Sequence, residues 1–155
     1  MGNLWLYVVA AVIAAGAFVF WRRWKAAQRL IQRDRAMQRF DQERGDLSKQ
    51  FLAAAAATGK PRGLRWKAVD LTGQPHFATD VINGQLVALI GATISFEAIE
   101  GGDMEDVEAV SNLRSATAVF VARDGRWTTD GRVIFNLEPG EAMQRFQSAL
   151  APVNS

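Results

Sequence analysis

Six carboxylate side chains lie within twelve consecutive residues of this chain, with no Lys or Arg among them: Glu97, Glu100, Asp103, Glu105, Asp106 and Glu108. Hard divalent cations such as Ca²⁺ and Mg²⁺ bind several oxygen ligands, and Gly101-Gly102 would permit a tight turn between them. The candidate ligands of such a site are Glu100, Asp103, Glu105 and Asp106. Their spacing departs from the EF-hand loop, where ligands alternate and Gly stands at the sixth position. The pattern therefore favours a solvated acidic loop, and the alternatives are a cation site or a surface that docks on a basic partner.

The other residues that could do chemistry do not form a catalytic motif. His76 is the only histidine, and along an extended strand Asp80 would lie roughly 13 Å from it, too far for a hydrogen-bonded pair. The chain has no cysteine, which excludes disulfides, thiolate metal sites and cysteine nucleophiles. No strand-to-helix elbow surrounds any of the serines considered as nucleophiles, which are Ser48, Ser95, Ser111 and Ser115. The sequence thus predicts no catalytic residue and no cofactor.

An uncharged apolar stretch, Leu4–Trp21 (LWLYVVAAVIAAGAFVFW), must position everything that follows it. As a helix it would span roughly 27 Å, close to the thickness of the hydrocarbon core of a bilayer. Trp5 lies at one end of the stretch and Trp21 at the other, and such rings favour the membrane–water boundary. The stretch therefore predicts a single transmembrane helix.

Three alternatives to an anchor can be weighed from the same residues. A cleavable signal peptide needs a basic segment before the apolar core, and Met1-Gly2-Asn3 has none, although Ala15-Gly16-Ala17 is typical of a cleavage site. N-myristoylation needs Ser or Thr where Leu6 stands. A buried soluble helix is disfavoured because every face of the stretch is apolar. An uncleaved anchor is favoured, and the signal peptide is its main rival.

Charge predicts the orientation of this anchor. Four basic residues, Arg22, Arg23, Lys25 and Arg29, follow the apolar stretch, and none precedes it. Basic residues beside a span stay on the cytoplasmic side, so we expect residues 22–155 to be cytoplasmic and these four side chains to face lipid headgroups. Residues 22–67 hold 13 Lys or Arg against 4 Asp or Glu, and residues 68–155 hold 5 against 12. A basic segment near the anchor and an acidic distal part suit an anionic membrane surface.

Residues 22–59 predict a helical stalk because they are rich in good helix formers. Heptad spacing places eight residues on one stripe: Leu30, Arg33, Met37, Phe40, Arg44, Leu47, Phe51 and Ala54. The stripe predicts a short coiled coil, a partner-binding helix, or a helix that packs on its own domain, and the last is favoured because arginines suit a coiled-coil seam poorly. Nucleic-acid binding is disfavoured because the basic residues surround the helix.

Two breaks are predicted along the stalk. Gly45-Asp46 interrupts the helical pattern, and Asp46 is a plausible N-cap for a second helix, Leu47–Thr58. Gly59 fits the position just past a helix end, and Pro61 would prevent continuation. We therefore expect three parts: an anchor at 1–21, a stalk at 22–59 and a globular domain at 60–155.

The globular part begins with a predicted hairpin. Alternation from Leu64 to Leu71 predicts a strand, Thr72–Pro75 predicts a turn, and Phe77–Ile82 predicts the next strand. Asn83-Gly84 predicts a two-residue type I′ turn. That turn would oppose Phe77 to Ile90, Val81 to Leu86 and His76 to Gly91, in a third strand that runs from Gln85 to Ala98 and bends at Gly91.

A loop with one helical turn at Met104–Val110 should separate this hairpin from a second one. Asp124-Gly125 predicts the second turn, which would oppose Ala122 to Trp127 and Ala116 to Val133. Pro139 predicts the start of a last helix that extends to Leu150 and ends at Pro152. Trp66 and Trp127 are predicted to pack in the core, and a ligand pocket is the alternative use for them.

The fold class that results is α+β: a transmembrane helix and stalk, then an antiparallel sheet of about five strands, with the helices before and after it on one face. The predicted function is a single-pass membrane protein whose cytoplasmic domain is a non-catalytic protein-interaction or scaffold module, or an accessory subunit of a membrane complex. The alternative is a membrane-tethered ligand- or cation-binding domain, or a small enzyme, that uses the sheet as a pocket. The predicted partners are the lipid bilayer, a protein partner and a second copy of the chain.

Overall fold

The computed structural model describes residue 2, residues 4–58 and residues 63–153. Its elements in chain order are helix α1 (Leu4–Thr58), strands β1 (Leu64–Asp80) and β2 (Leu86–Ala98), a 3₁₀ turn (Glu108–Ser111), strands β3 (Arg114–Arg123), β4 (Arg126–Thr128) and β5 (Val133–Phe135), helix α2 (Pro139–Arg145) and strand β6 (Leu150–Pro152). The chain forms two compact units, Met1–Arg35 and Ala36–Ser155. The α+β class is confirmed, with six strands in place of about five.

Helix α1 runs through the predicted break at Gly45-Asp46, so the prediction of two helices was wrong. The carboxylate of Asp46 lies 3.6 Å from the ammonium of Lys49 on an exposed face and does not cap a helix. A glycine inside a helix costs only about 1 kcal/mol, and the burial of Leu47 and Phe51 on the sheet exceeds that cost. The second predicted break, at residues 59–62, lies outside the described residues.

The apolar stripe of the stalk packs on its own domain, as favoured from the sequence. Phe40, Leu47 and Phe51 are almost fully buried against the sheet, and Met37 is partly buried there. Leu30, at the start of the same heptad series, is 58% exposed. From Ala36 onward, the stripe therefore forms part of the hydrophobic core of the second unit.

The predicted turn at Thr72–Pro75 was wrong, because β1 is one strand of 17 residues that continues through it. The pairing of β1 with β2 is antiparallel and irregular between Trp66 and Ala68 and again between Thr72 and His76. Such bulges disrupt the ladder locally, bend the strand and increase its twist. Gly91 lies at the second irregularity, opposite Thr72, where a bend had been predicted.

The first hairpin is present, but its loop is longer than a two-residue turn. Phe77 pairs with Ala88 and His76 with Leu89, each shifted by two positions from the predicted partners Ile90 and Gly91. The loop is enlarged because the Asp80 carboxylate accepts hydrogen bonds from the backbone N–H groups of the next loop residues. A shift of two keeps every side chain on its predicted face.

The second hairpin has the predicted tight turn. Asp124 and Gly125 both have positive φ, at 51° and 76°, and Ala122 pairs with Trp127 as expected. Beyond Thr128 the prediction was wrong, since Val133 pairs with Ala118 and not with Ala116. Residues 129–132 leave the ladder between β4 and β5, and this excursion accounts for the two-residue shift.

The strand order is β4-β3-β2-β1-β6, with β5 also paired to β3. The part of α1 within the second unit covers one face of this sheet, and α2 covers part of the other, so the prediction that both helices share a face was wrong. The last helix ends at Arg145, and Leu150–Pro152 forms a strand that pairs with Ala78–Asp80. The helical spacing had been extended too far because a three-residue strand has no periodicity of its own.

Four aromatic rings form the centre of the face covered by α1. The ring of Phe40 meets those of Phe77, Phe120 and Trp127 edge-on, with centroids 5.9, 5.5 and 5.1 Å away. The indole N–H of Trp127 donates a buried hydrogen bond of 2.8 Å to the backbone carbonyl of Ala36. These contacts join helix and sheet within the second unit, and they confirm the core role predicted for Trp127.

Candidate functional site: an apolar cavity on the sheet

A cavity of about 550 Å³ opens on the sheet face that α1 covers, near the C-terminal end of that helix. It lies beside Ala55 and Thr58 in the last turn of α1, between that turn and the connection that joins β2 to β3. Its described lining residues are Ala55, Thr58, Leu64, Trp66, Phe96, Met104, Ala109, Val110, Arg114, Gly131, Val133, Phe135 and Asn136. Cavities that hold small molecules have a volume in this range.

The walls of the cavity are aromatic and aliphatic. The rings of Trp66 and Phe96 pack with their centroids 4.9 Å apart, on paired positions of β1 and β2. Phe51 of α1 packs against Trp66 from the core side, at 6.5 Å. Trp66 thus belongs both to the core and to the cavity, so both uses predicted for it meet in one residue.

Gly131 shapes the wall where the β4–β5 connection meets α1. It is buried, it has a φ of 77°, and a Cβ at this position would overlap the backbone of Ala54 and Ala55. Only glycine allows the chain to approach the helix this closely. The cavity therefore depends on a backbone contact that leaves no room for a larger residue.

The described lining of the cavity is mostly apolar. Arg114 is the one charged residue among the described lining residues, and it stands at the exposed start of β3. The described lining contains no His, Ser, Asp or Glu that could serve as a base or nucleophile. Such a lining can hold an apolar body with a polar or anionic end.

The acidic loop predicted as a cation site is engaged in local structure. The Glu105 carboxylate accepts a 2.8 Å hydrogen bond from the backbone N–H of Gly101, and the Glu97 carboxylate pairs with Arg65 at 2.7 Å. Glu100, Asp103 and Asp106 lie in the same loop, and all three are exposed. Among the described residues no three carboxylate or imidazole groups come together as a metal site would need. Cation binding by this loop stays a prediction. The helical turn expected at Met104–Val110 is a 3₁₀ turn at Glu108–Ser111.

The candidate residues for nucleophilic or acid–base chemistry lie outside the described lining of the cavity, and Ser48 and Asp80 among them form hydrogen bonds within the fold. Ser48 donates a hydrogen bond from Oγ to the carbonyl of Val69 at 2.5 Å, and this bond ties α1 to β1. His76 is exposed on β1, and the Asp80 carboxylate is used within the hairpin loop. The structure brings none of these three residues to the cavity.

The first unit presents the predicted membrane segment. By length and composition α1 contains one stretch, near its N-terminus, that could cross a membrane, and none of that stretch is buried. At the end of the apolar stretch, Phe18 and Trp21 pack at 6.4 Å between centroids. The Lys25 ammonium lies 4.0 Å from the ring centre of Trp21, and the Arg22 guanidinium lies 5.9 Å from that of Phe18. The predicted basic flank is thus stacked on the aromatic end of the stretch.

Sequence reasoning missed the cavity. Its three described aromatic residues, Trp66, Phe96 and Phe135, come from three separate strands, and Phe135 lies on a strand for which the sequence predicted a different register. A signal was present only at Trp66, for which a pocket was the alternative use.

Comparison with protein-family models, with curated proteins and with solved structures finds no match to this chain.

Proposed function

We propose that this chain is a single-pass membrane protein that holds a non-catalytic α+β binding domain on the cytoplasmic face of a bilayer. One observation carries the proposal: the eighteen residues from Leu4 to Trp21 have no charge and form the first part of α1, where every described side chain is exposed. Exposed apolar side chains on every side of a helix are stable in lipid and unfavourable in water. The segment therefore acts as the anchor.

The flanks of the segment support this orientation. Arg22, Arg23, Lys25 and Arg29 are exposed and follow the aromatic end directly. Near an anionic leaflet each such residue contributes on the order of 1 kcal/mol. Retention of this flank on the cytoplasmic side places the sheet domain in the cytoplasm.

Two experiments on the full chain test the anchor and its orientation. The chain should remain in the membrane pellet after extraction with alkaline carbonate, and a Val12→Arg variant, which adds a charge to the apolar stretch, should be released. Because the chain has no cysteine, an Asp103→Cys variant carries a single thiol. A membrane-impermeant maleimide should label that thiol only after the cells are permeabilised. Labelling in intact cells would show the opposite orientation. Release of the wild-type chain by carbonate would contradict the proposed anchor.

The proposed domain acts by binding, alone or as an accessory subunit of a membrane complex. Small residues at Ala10, Ala11, Ala14, Ala15, Gly16 and Ala17 would let another transmembrane helix approach closely. Native mass measurement after mild detergent extraction distinguishes a protein that acts alone from an accessory subunit. A mass equal to that of one chain would rule out a stable membrane complex.

The cavity favours a second candidate, a membrane-tethered domain that binds an apolar small molecule. Native mass spectrometry of the full chain released from detergent should then show added mass from a bound molecule. A Val110→Trp variant fills the cavity and should lose that mass, whereas Val107→Trp, outside the lining, should keep it. Absence of added mass from the wild-type chain would remove this candidate.

The alternative in which the acidic loop binds a cation is tested by calorimetric titration of the full chain with Ca²⁺ and Mg²⁺. A lack of binding at millimolar ion would exclude it.

A further inference from the structure

The hairpin loops and the β2–β3 connection of the second unit lie at opposite ends of the sheet. Strand β2 begins beside the β1–β2 loop and ends at the acidic connection to β3. Its 13 residues separate these two ends by about 40 Å. We call the end with the β1–β2 and β3–β4 hairpin loops the hairpin end, and the other the acidic end.

Three large apolar side chains are exposed at the hairpin end. Ile82 is 91% exposed and Val81 is 59% exposed, both in the β1–β2 loop, and Phe146 after α2 is 39% exposed. The backbone N–H of Val81 donates a 2.9 Å hydrogen bond to the carbonyl of Ala149, which brings the segment after α2 to this loop. Apolar side chains grouped in this way on a soluble surface mark a place where another surface is met.

The loop that carries Ile82 is held in one conformation. The Asp80 carboxylate accepts hydrogen bonds from the backbone N–H groups of Ile82 and Asn83, at 2.8 and 3.2 Å. The side-chain oxygen of Asn83 accepts a further hydrogen bond, of 2.8 Å, from the backbone N–H of Gln85. The loop therefore presents its two aliphatic side chains outward without having to be ordered first.

Three arginines lie at the same end of the sheet as these apolar residues. Arg123 and Arg126 are directly paired across the β3–β4 turn, where like charges oppose each other, and among the described residues neither forms an ion pair. Arg145 stands at the end of α2, next to Phe146. The acidic residues of this end are Asp124, in the turn itself, and Asp80, whose carboxylate is used by the loop. The arrangement suits a partner that offers negative charge together with an apolar interior.

The acidic end differs in charge and not in exposed apolar side chains, since Ile99, Val107 and Leu113 are exposed there as well. Glu100, Glu105 and Asp106 are exposed in the connection that follows β2, with no Lys or Arg between them. An anionic surface attracts the arginines and repels these carboxylates, so a field of this sign orients the domain with its hairpin end inward.

We propose that the hairpin end is a second membrane contact, in which Val81 and Ile82 enter the interface of an anionic bilayer and Arg123 and Arg126 contact lipid phosphates. The inference rests on the proposed function, since the anchor holds the domain at a bilayer. An aliphatic loop of this small size, flanked by arginines, matches the boundary between headgroups and acyl chains better than the broad apolar core of a protein interface.

The chain's lack of cysteine allows the test to use single spin labels on the full-length protein. The variants are Ile82→Cys at the hairpin end, Leu113→Cys at the acidic end, which is 67% exposed, and Ala14→Cys in the anchor. Each is reconstituted into vesicles of phosphatidylcholine with one quarter phosphatidylglycerol. Collision of the label with oxygen, which concentrates in lipid, is compared with collision with a water-soluble nickel complex.

The label at position 82 should collide several-fold more with oxygen than with nickel, like the label at position 14 and unlike that at position 113. Combining Ile82→Cys with Arg123→Gln and Arg126→Gln, or using pure phosphatidylcholine, should reduce that ratio several-fold. A water-like label at position 82 beside a lipid-like label at position 14 would overturn the inference and leave the anchor intact. A hairpin end that bound an acidic protein and not lipid would also give a water-like label at position 82 in these vesicles, and so would overturn the inference. A water-like label at position 14 would overturn the proposed anchor.

Discussion

The Phe40→Ala variant tests whether the described packing of α1 on the sheet stabilises the second unit. Phe40 is fully buried and meets three aromatic rings edge-on, at centroid distances of 5.1 to 5.9 Å. Truncation of a buried Phe to Ala removes its transfer free energy and leaves a cavity, which together cost about 3–5 kcal/mol. Because domains of this size are stable by only about 5–15 kcal/mol, we expect the variant to lose a large part of its free energy of unfolding.

The assay is equilibrium urea unfolding of the full chain in detergent micelles, followed by tryptophan fluorescence. The indole of Trp127 is 3% exposed and contacts Phe40, so its environment reports on this interface. With a urea dependence of about 2 kcal/mol per molar, a loss of about 4 kcal/mol lowers the midpoint by about 2 M. The matched control is Phe135→Ala, at a side chain that is 45% exposed, where we expect a loss of about 1 kcal/mol.

Equal losses in the two variants would refute the packing argument. They would mean that the edge-on contacts of Phe40 contribute no more than a half-exposed ring does. If Phe40→Ala does not accumulate in cells, the same interface is tested with Phe40→Leu, which keeps most of the side-chain volume. We expect that variant to unfold at a urea concentration between those of Phe40→Ala and the wild type.

Three further variants test particular contacts by the same unfolding measurement. Trp127→Phe removes the 2.8 Å hydrogen bond to a backbone carbonyl of α1 and should cost about 1–3 kcal/mol; a cost near zero would show that the bond contributes nothing net. Gly131→Ala forces a Cβ into the backbone of α1 and should destabilise the chain by well over the roughly 1–2 kcal/mol expected for Gly125→Ala, where the same positive φ meets open space; equal losses would contradict the close approach. Glu138→Ala removes one half of the capping box that Glu138 forms with Glu141 at the start of α2 and should cost about 1 kcal/mol; no loss would contradict the capping role.

The parts of the fold that local chemistry determines could be predicted from the sequence. The Asp124-Gly125 turn followed from the positive φ that both residues adopt, and its first pairs were correct. The faces of β2 followed from alternation, and they survived a wrong loop length because the register moved by two positions. The α+β class followed from the change of period after the stalk.

The parts that depend on distant contacts could not be predicted. Leu150–Pro152 is a strand only because the end of β1 lies beside it, some seventy positions earlier in the chain. Gly45 stays helical because Phe40 before it and Leu47 after it are buried on a sheet that follows later in the sequence. The cavity is lined by residues of α1, of four strands and of the β2–β3 connection, and no single segment carries that information.

The outer edge of β1 determines whether the sheets of neighbouring copies of this protein can pair with each other. Its outer neighbour, β6, pairs only with Ala78–Asp80, so along residues 64–76 the described chain provides no strand on that side. Bare backbone of this kind is a template on which a second sheet could extend. The exposed charge of Lys67, the missing N–H of Pro75 and the two bulges interrupt that template. Neighbouring copies can therefore lie side by side at high density without their sheets joining into a continuous ribbon.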